Sequence, residues 1–332
     1  MPKCGLGHTL IHTAQCGGSP PVSRTFTFIL NPAAGGRRGA RRCRHLLTGL
    51  ARLNAEVLTT QQPGQAHEWA WARRDRTDHV MVAVGGDGTA HEVGTALIDA
   101  TAMLAVLPLG SGNDFAYALG QSWQKAPWHD WAEQPPRRID VGQVELLQPD
   151  DNWQSRAFIN SIGLGIEGAI AALAPRVPVA YGFGRYVVAA LLEAWRYRAP
   201  HMRLSIDGHL NHECEQLLLA VGNGPRAGGG FLLHPDAVLD DGKLDLCRVG
   251  ELSRGRRARL LPSVIMSRHH RHPEVVSARV HKVEIDCPTG VPVHCDGEVV
   301  ATAARRVQIR VQPSALSVLA PSPSASASHH RP

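Results

Sequence analysis

Aromatic residues are scarce in this chain, 5% of 332 residues, which leaves few stacking platforms for nucleic-acid bases. No recognisable DNA- or RNA-binding motif makes up for them, so no nucleic acid is expected as a partner. No apolar run reaches the roughly 18 residues that span a bilayer. The start has no basic segment followed by an apolar one, so no signal peptide is expected. The seven cysteines, Cys4, Cys16, Cys43, Cys214, Cys247, Cys287 and Cys295, are scattered and never at CxxC spacing. That argues against a zinc site or a disulfide framework and for a reducing cytoplasm. Charged residues make up 19% and hydrophobic residues 43%, ordinary values for a globular protein whose length suggests two domains.

The charge that is present leans one way, with a net of +6 and a pI near 9.1. Arginine far outnumbers lysine and clusters at Arg37, Arg38, Arg41, Arg42 and Arg44, at Arg254, Arg256, Arg257 and Arg259, and at Arg268 and Arg271 among His269, His270 and His272. Such clusters suit anionic phosphates or an anionic membrane surface, and equally the solvated faces of helices.

The apolar run Val80–Val84 ends in Gly85-Gly86-Asp87-Gly88-Thr89, and a helix-compatible run follows to about Ala100. Strand, glycine loop and helix start form an anion cradle, because bare backbone N–H groups approach a phosphate closely and the helix end adds partial positive charge. A carboxylate there repels phosphate. Asp87 therefore suits a bridging Mg²⁺ or the handling of a hydroxyl proton.

Around that loop, strands are predicted at 25–30, 55–59, 79–84 and 103–107, with helices at 37–52, 65–75, 89–100 and 112–119. Alternating units of this kind give a parallel sheet whose ligand sits beyond the strands' carboxyl ends. Residues 1–23 read as a loose extension, 24–134 as the nucleotide-binding domain, and 321–332 as a disordered tail. The segment 121–137, rich in Trp and Pro, marks a boundary. From 135 to 312 short strands dominate, at 138–147, 156–162, 201–207, 213–222, 243–249, 274–287, 291–295 and 305–311. Helices interrupt only near 183–198 and 253–268, which predicts a mainly antiparallel β domain. The run 313–320 is expected to complete the first domain.

Asn31-Pro32-Ala33-Ala34-Gly35, Gly85-Gly86-Asp87-Gly88-Thr89, Pro108-Leu109-Gly110-Ser111-Gly112-Asn113-Asp114-Phe115-Ala116 and Asp296-Gly297-Glu298 occur in this order. Gly222-Asn223-Gly224, Gly228-Gly229-Gly230, Pro235 and Asp240-Asp241-Gly242-Lys243-Leu244 join them. The set resembles the bacterial diacylglycerol kinase and lipid kinase family, whose catalytic domain is shared with sphingosine and ceramide kinases. The resemblance runs from about 25 to 320.

It implies a two-domain α/β fold: an N-terminal parallel nucleotide-binding domain like that of NAD kinase and diacylglycerol kinase, and a C-terminal β-sandwich, with the active site in the cleft between them. It implies ATP as co-substrate, Mg²⁺, and transfer of the γ-phosphoryl group to a lipid hydroxyl. Carried over by residue, Asn31, Thr60, Gly85, Gly86, Asp87, Gly88, Thr89, Ala90, His91, Glu92, Gly110, Ser111 and Asn113 line the nucleotide. Asp296 matches the proposed proton acceptor. A structural Mg²⁺ falls to Asp241 with the carbonyls of Val238 and Lys243. Glu167 stands where an aspartate is commoner, and His91-Glu92 where Asn-Glu is usual.

Read as chemistry, phosphoryl transfer needs in-line geometry, charge neutralisation and a place for the acceptor's proton. Asp87, Asp114 and Glu298 are candidate Mg²⁺ or water-bridged ligands. Asp296, in a tight turn, is the candidate base, with Asp87 as its rival. Each has a plainer reading: Asp296-Gly297 is a hairpin turn signal, Asp114 a helix cap, Asp241 a turn former. Gly163-Leu164-Gly165-Ile166-Glu167-Gly168 fits GxGxxG after a strand, but no βαβ unit surrounds it. His67, His79, His201, His212 and His281 read as surface residues. The apolar helix 183–198 is either core or one wall of an acyl-chain pocket.

The expected activity is an ATP-dependent lipid kinase, cytoplasmic and peripheral at the inner face of an anionic membrane. The acceptor is diacylglycerol, a related glycerolipid or a sphingoid base, and a homodimer is left open. A soluble NAD kinase-like enzyme and a non-catalytic lipid- or nucleotide-binding module are the alternatives.

Overall fold

The computed structural model describes residues 9–10, 24–36, 39, 41–42, 55–121, 131–132, 134–178 and 183–320. The expected extension apart from 9–10, most of the expected helix 37–52, the middle of the boundary segment and the tail 321–332 lie outside the described residues. So do Cys4, Cys16, Cys43, Arg37, Arg38 and Arg44. Two compact units emerge, one built from the chain up to Arg138 and again from Leu316, the other from Ile139–Ala315.

In the first unit β2 (Thr25–Leu30), β3 (Ala55–Thr59), β4 (His79–Gly85) and β5 (Met103–Pro108) pair in parallel in the order β3-β2-β4-β5. Every residue of β4 and β5 is buried, as a parallel strand covered on both faces must be. A short β1 (Thr9–Leu10) runs antiparallel to β3, and Val318 pairs in parallel with Leu104 of β5. Helices α1 (Gln65–Trp71), α2 (Asp87–Ala96) and α3 (Asp114–Ala118) follow β3, β4 and β5. From β2 the chain steps out to β3 and then returns to β4 on the other side of β2. That reversal opens a crevice beyond the carboxyl ends of β2 and β4, where Asn31 and Gly86 begin.

The second unit is antiparallel. Its strands are β6 (Arg137–Leu147), β7 (Trp153–Phe158), β8 (Ser161–Gly165), β9 (His201–Ile206), β10 (His209–Gly222), β11 (Leu244–Gly250), β12 (Val275–Val280), β13 (Lys282–Cys295) and β14 (Glu298–Val318). β10 and β13 bend at register shifts, so each pairs with β9 along one half and with β8 along the other. Val144, Phe158, Ile162, Leu204, Val221, Leu246, Val280, Ile285 and Val307 meet in a core to which all nine strands, β6 to β14, contribute. Helices α4 (Ile166–Leu173), α5 (Phe183–Arg196) and α6 (Arg254–Ile265) complete the unit, packing against one another and, through α4, against β8, β10 and β13.

Sequence periodicity did not indicate α4. Its residues follow the GxGxxG run, whose three glycines turn out to be packed shut. A Cβ on Gly163 would meet Glu167 Oε2 at 2.4 Å, one on Gly165 the Leu217 carbonyl at 2.6 Å, and one on Gly168 the Pro292 carbonyl at 2.3 Å. The glycines make room for protein atoms and leave none for a pyrophosphate.

One histidine corrects the reading of surface histidines. His79 is 3% exposed, with Nδ1 2.5 Å from the Thr25 hydroxyl and Nε2 3.0 Å from that of Thr27. Burial, helped by Arg76 and Arg73, pushes its pKa from 6.5 down to about 4. His79 therefore stays neutral in the fold while it titrates normally in the unfolded chain. The unfolded state binds the extra proton, so stability is complete above about 6.5 and falls as pH drops towards about 4. Urea denaturation across that window is expected to show His79→Gln with a shallower loss than the parent chain.

Candidate active site: glycine loops and a buried polar chain

In the first unit the candidate residues gather at the crevice. Asn31 Oδ1 accepts the Ala33 N–H at 3.0 Å, and its Nδ2 donates to the Thr89 hydroxyl at 3.1 Å. The loop after β2 is thereby tied to the first turn of α2. The Thr60 N–H and hydroxyl both bond the Leu30 carbonyl, closing β3 against β2. A Cβ on Gly85 would sit 2.3 Å from Thr89 Oγ1, and one on Gly110 2.6 Å from the Gly86 Cα. The loops after β4 and β5 thus touch backbone to backbone, a contact that only glycine permits.

Asp87 has a clear local task. Its carboxylate accepts the Asn113 N–H at 2.8 Å and the Phe115 N–H at 3.2 Å, capping α3 from outside that helix. Asn113 holds the left-handed conformation (φ 56°) and donates its side-chain N–H to the Gly110 carbonyl at 2.8 Å. Asp114 is buried in the first turn of α3. The start of α2 carries no side-chain cap at Gly86, and this is the end suited to a phosphate. Gly88 and Ser111 are exposed, while Thr89 and Ala90 are buried and can meet a ligand only through backbone. His91 is half-buried, and its carbonyl accepts the Thr95 hydroxyl. Glu92 faces away to α1, where its two oxygens accept the Gly64 and Ala66 N–H groups at 3.1 Å.

In the second unit Asp296 occupies the turn between β13 and β14 with φ 48°. Its carboxylate accepts three backbone N–H groups, from Ile159 at 2.9 Å, Asn160 at 2.9 Å and Ser161 at 2.8 Å. Those bonds hold the group in one orientation. Glu298 is exposed on the first residue of β14.

The turn is also reached from within. His294 Nδ1 accepts the Gly297 N–H at 3.2 Å, so the proton of a neutral ring lies on Nε2, which is 3.4 Å from Glu167 Oε1. Both side chains are nearly buried. His234 lies close by, its pKa pushed from 6.5 down to about 4 by burial, with Glu167 acting against the shift and His269 with it. Cys247 is pushed up to about 12 by burial and by the Glu167 charge.

Glu167, His294 and Gly297 line a largely apolar cavity together with Ile166, Ile170 and Ala171 of α4, Tyr186, Ala190 and Ala194 of α5, Leu260 and Val264 of α6, and Leu217 and Val249 of the sheet; Arg257 and His269 also border it. Its volume of about 130 Å³, taken over the centres of a water-sized sphere, is roughly ten times what one water needs. The apolar helix of the sequence thus lines a cavity with one face and leaves the other exposed.

Asp241 accepts the Lys243 N–H at 3.0 Å and lies 3.7 Å from Arg279, which is also 3.9 Å from Asp245. Burial, with Asp241 and Asp236 adding to it and Arg279 opposing, raises Asp245 to about 6. No group of three or more His, Cys, Asp or Glu side chains gathers among the described residues, so a cation at this loop would depend on main-chain oxygens beside the Asp241 carboxylate. Above it, Asp140 ties this loop down: its buried carboxylate accepts the Gly242 and Ser314 N–H groups, both at 2.7 Å. Asn223 donates to the Asp140 and Ile159 carbonyls at 2.8 and 3.0 Å. Sequence reasoning missed Asp140, His234 and His294. A lone polar residue in an apolar strand, as in Ile139-Asp140-Val141, was the one available signal.

Gly110→Ala should force the two glycine loops apart. The expected results are a loss of about 1–3 kcal/mol in chemical denaturation and a weaker nucleotide affinity by calorimetry, with β content by circular dichroism unchanged.

Comparison with known proteins places these features in one family. Residues 25–144 match the diacylglycerol kinase catalytic domain, and residues 160–320 the YegS C-terminal NAD kinase beta sandwich-like domain. The chain is 30% identical over 301 residues to a diacylglycerol kinase of Mycobacterium tuberculosis, covering 89% of this chain and 94% of that one. It is 34% identical over 259 residues to a "Probable lipid kinase YegS-like" of Chromohalobacter salexigens, covering 75% and 78%. A crystal structure of a diacylglycerol kinase from Bacillus anthracis shares the fold with a TM-score of 0.69 at 20% identity, covering 91% of this chain and 98% of that one. The chain belongs to the diacylglycerol kinase and YegS-like lipid kinase family, phosphotransferases with an alcohol group as acceptor.

Proposed function

We propose that this protein transfers the γ-phosphoryl group of ATP to the hydroxyl of a membrane lipid, namely diacylglycerol, a related glycerolipid or a sphingoid base. The largely apolar cavity that Glu167, His294 and Gly297 line carries this reading, because Gly297 directly follows Asp296. A hydrocarbon chain in the cavity brings its polar end towards that turn. An NAD-type acceptor, polar throughout, has no use for such a cavity, and a non-catalytic module none for the constrained carboxylate.

In this reading the start of α2 and the loops at Gly85–Gly88 and Gly110–Ser111 hold the triphosphate through backbone N–H groups. Mg²⁺, when bound, neutralises charge on the phosphate oxygens. Asp87 and Asp114 are the oxygen donors that would hold it, directly or through water, and Asp241 with the Val238 and Lys243 carbonyls would hold a structural ion. Asp296 orients the acceptor hydroxyl and takes its proton as the phosphoryl group leaves ADP. Its three N–H bonds fix the oxygen that must meet the substrate. In-line transfer requires the hydroxyl at this turn and the triphosphate at the glycine loops to meet during turnover.

Purified protein with γ-labelled ATP, Mg²⁺ and a lipid panel is expected to yield a labelled, organic-extractable product. Labelled product from NAD alone would remove the lipid assignment. Asp296→Asn should abolish turnover with ATP binding largely kept, and thermal melting must accompany it because the amide cannot serve all three N–H groups. Full turnover in a folded Asp296→Asn protein would take Asp296 out of the proton-accepting role.

A further inference from the structure

The side of α5 that faces away from the cavity is apolar and exposed. Leu191 and Trp195, one turn apart, are 56% and 64% exposed. Across from them Arg254, Ala258, Pro262 and Met266 of α6 and its C-cap complete a surface groove. Ala194 and Leu261 line this groove and the cavity alike, so the two share a wall.

Arginine predominates beside the groove, with Glu251 ahead of α6 and Glu193 on α5 as the neighbouring acids. The first two turns of α6 carry Arg254, Arg256, Arg257 and Arg259 and no acid. Cations at a helix N-terminus oppose the macrodipole, so helix stability does not account for them. Arg257 is buried and bonds the Leu252 and Tyr197 carbonyls and Glu251, which accounts for that one as a structural tie between α5 and α6. Arg254, Arg256 and Arg259 are exposed, and the Arg254 guanidinium lies 4.9 Å from the centre of the Trp195 ring. Exposed Leu and Trp side chains rimmed by arginine match the depth profile of an anionic bilayer. Aromatic rings settle at headgroup level, aliphatic side chains sink below, and guanidinium groups meet phosphate.

We propose that the outer faces of α5 and α6 dock the protein on an anionic lipid bilayer, directly over the wall of the apolar cavity. The inference rests on the reading of that cavity as the lipid site, since a substrate dissolved in a bilayer must enter from the bilayer. Arginine supplies the attraction and the Leu191–Trp195 stripe the insertion.

Co-sedimentation tests it with vesicles of phosphatidylcholine alone and of phosphatidylcholine with phosphatidylglycerol. The full chain is expected to bind the anionic vesicles, weakly or not at all the neutral ones, and less as salt rises. Leu191→Asp with Trp195→Asp, and separately Arg254→Glu with Arg259→Glu, should each lower partitioning about tenfold or more, with melting temperature unchanged because the side chains are exposed. Leu191→Ser with Trp195→Ser serves if the aspartates disturb folding. Failure of the parent chain to bind anionic vesicles overturns the proposal, as does binding of both double variants at the parent level. Vesicle binding absent, with a dimer that the same substitutions dissociate, gives the face to a second copy instead. Turnover of a dispersed short-chain diacylglycerol separates the two claims. Variants that lose vesicle binding but keep this turnover support docking. A chain that binds anionic vesicles through these residues yet phosphorylates no lipid leaves docking standing and removes the acceptor assignment.

Discussion

Two loops in the first unit meet backbone against backbone, at Gly86 and Gly110, and Asp87 locks the meeting by accepting the Asn113 and Phe115 N–H groups. Much else follows from that contact. It brings the starts of α2 and α3 together and commits one of them to an internal carboxylate. The other start, at Gly86, carries no side-chain cap. A single acidic residue in a glycine loop therefore divides the work of two helix ends. The same residue is the rival base and a candidate metal ligand. Its hydrogen bonds show that it has a structural task whatever else it does.

The second unit is organised around a comparable economy. A buried glutamate, a histidine and a backbone N–H run in series from the inside of an apolar cavity to the turn that bears Asp296. The histidine's tautomer follows from its neighbours, because a backbone N–H can only donate to Nδ1. Asp296 sits in a left-handed backbone conformation, and three N–H groups from the β7–β8 connection hold its carboxylate. The turn conformation is one that an Asp-Gly pair adopts readily, while satisfaction of the charge comes from a different part of the chain.

One helix illustrates how a single segment serves two environments. Tyr186, Ala190 and Ala194 of α5 line the cavity, while Leu191 and Trp195 face outward. A helix apolar nearly all round normally belongs in a core. Here it forms the boundary between an internal hydrocarbon-like space and the outside.

Local pattern alone determined the alternating strands and helices of the first unit, the glycine loop and the antiparallel character of the second, because burial periodicity and glycine punctuation act over a few residues. The ordered motifs likewise carried the family. The roles of individual polar residues needed the tertiary structure. His79 reads as a surface histidine until two threonines on the neighbouring strand enclose it. Asp140, not singled out in the sequence pattern, gains its task only when the Gly242 and Ser314 N–H groups arrive from over a hundred positions away. The GxGxxG run, set apart in the sequence by the lack of a βαβ unit, has its glycines explained only when Glu167, the Leu217 carbonyl and the Pro292 carbonyl fill the space beside them. Hydrogen bonds and close contacts of this kind join residues distant in the chain. Their partners are chosen by how strands stack and bend, a long-range outcome that no local spacing encodes.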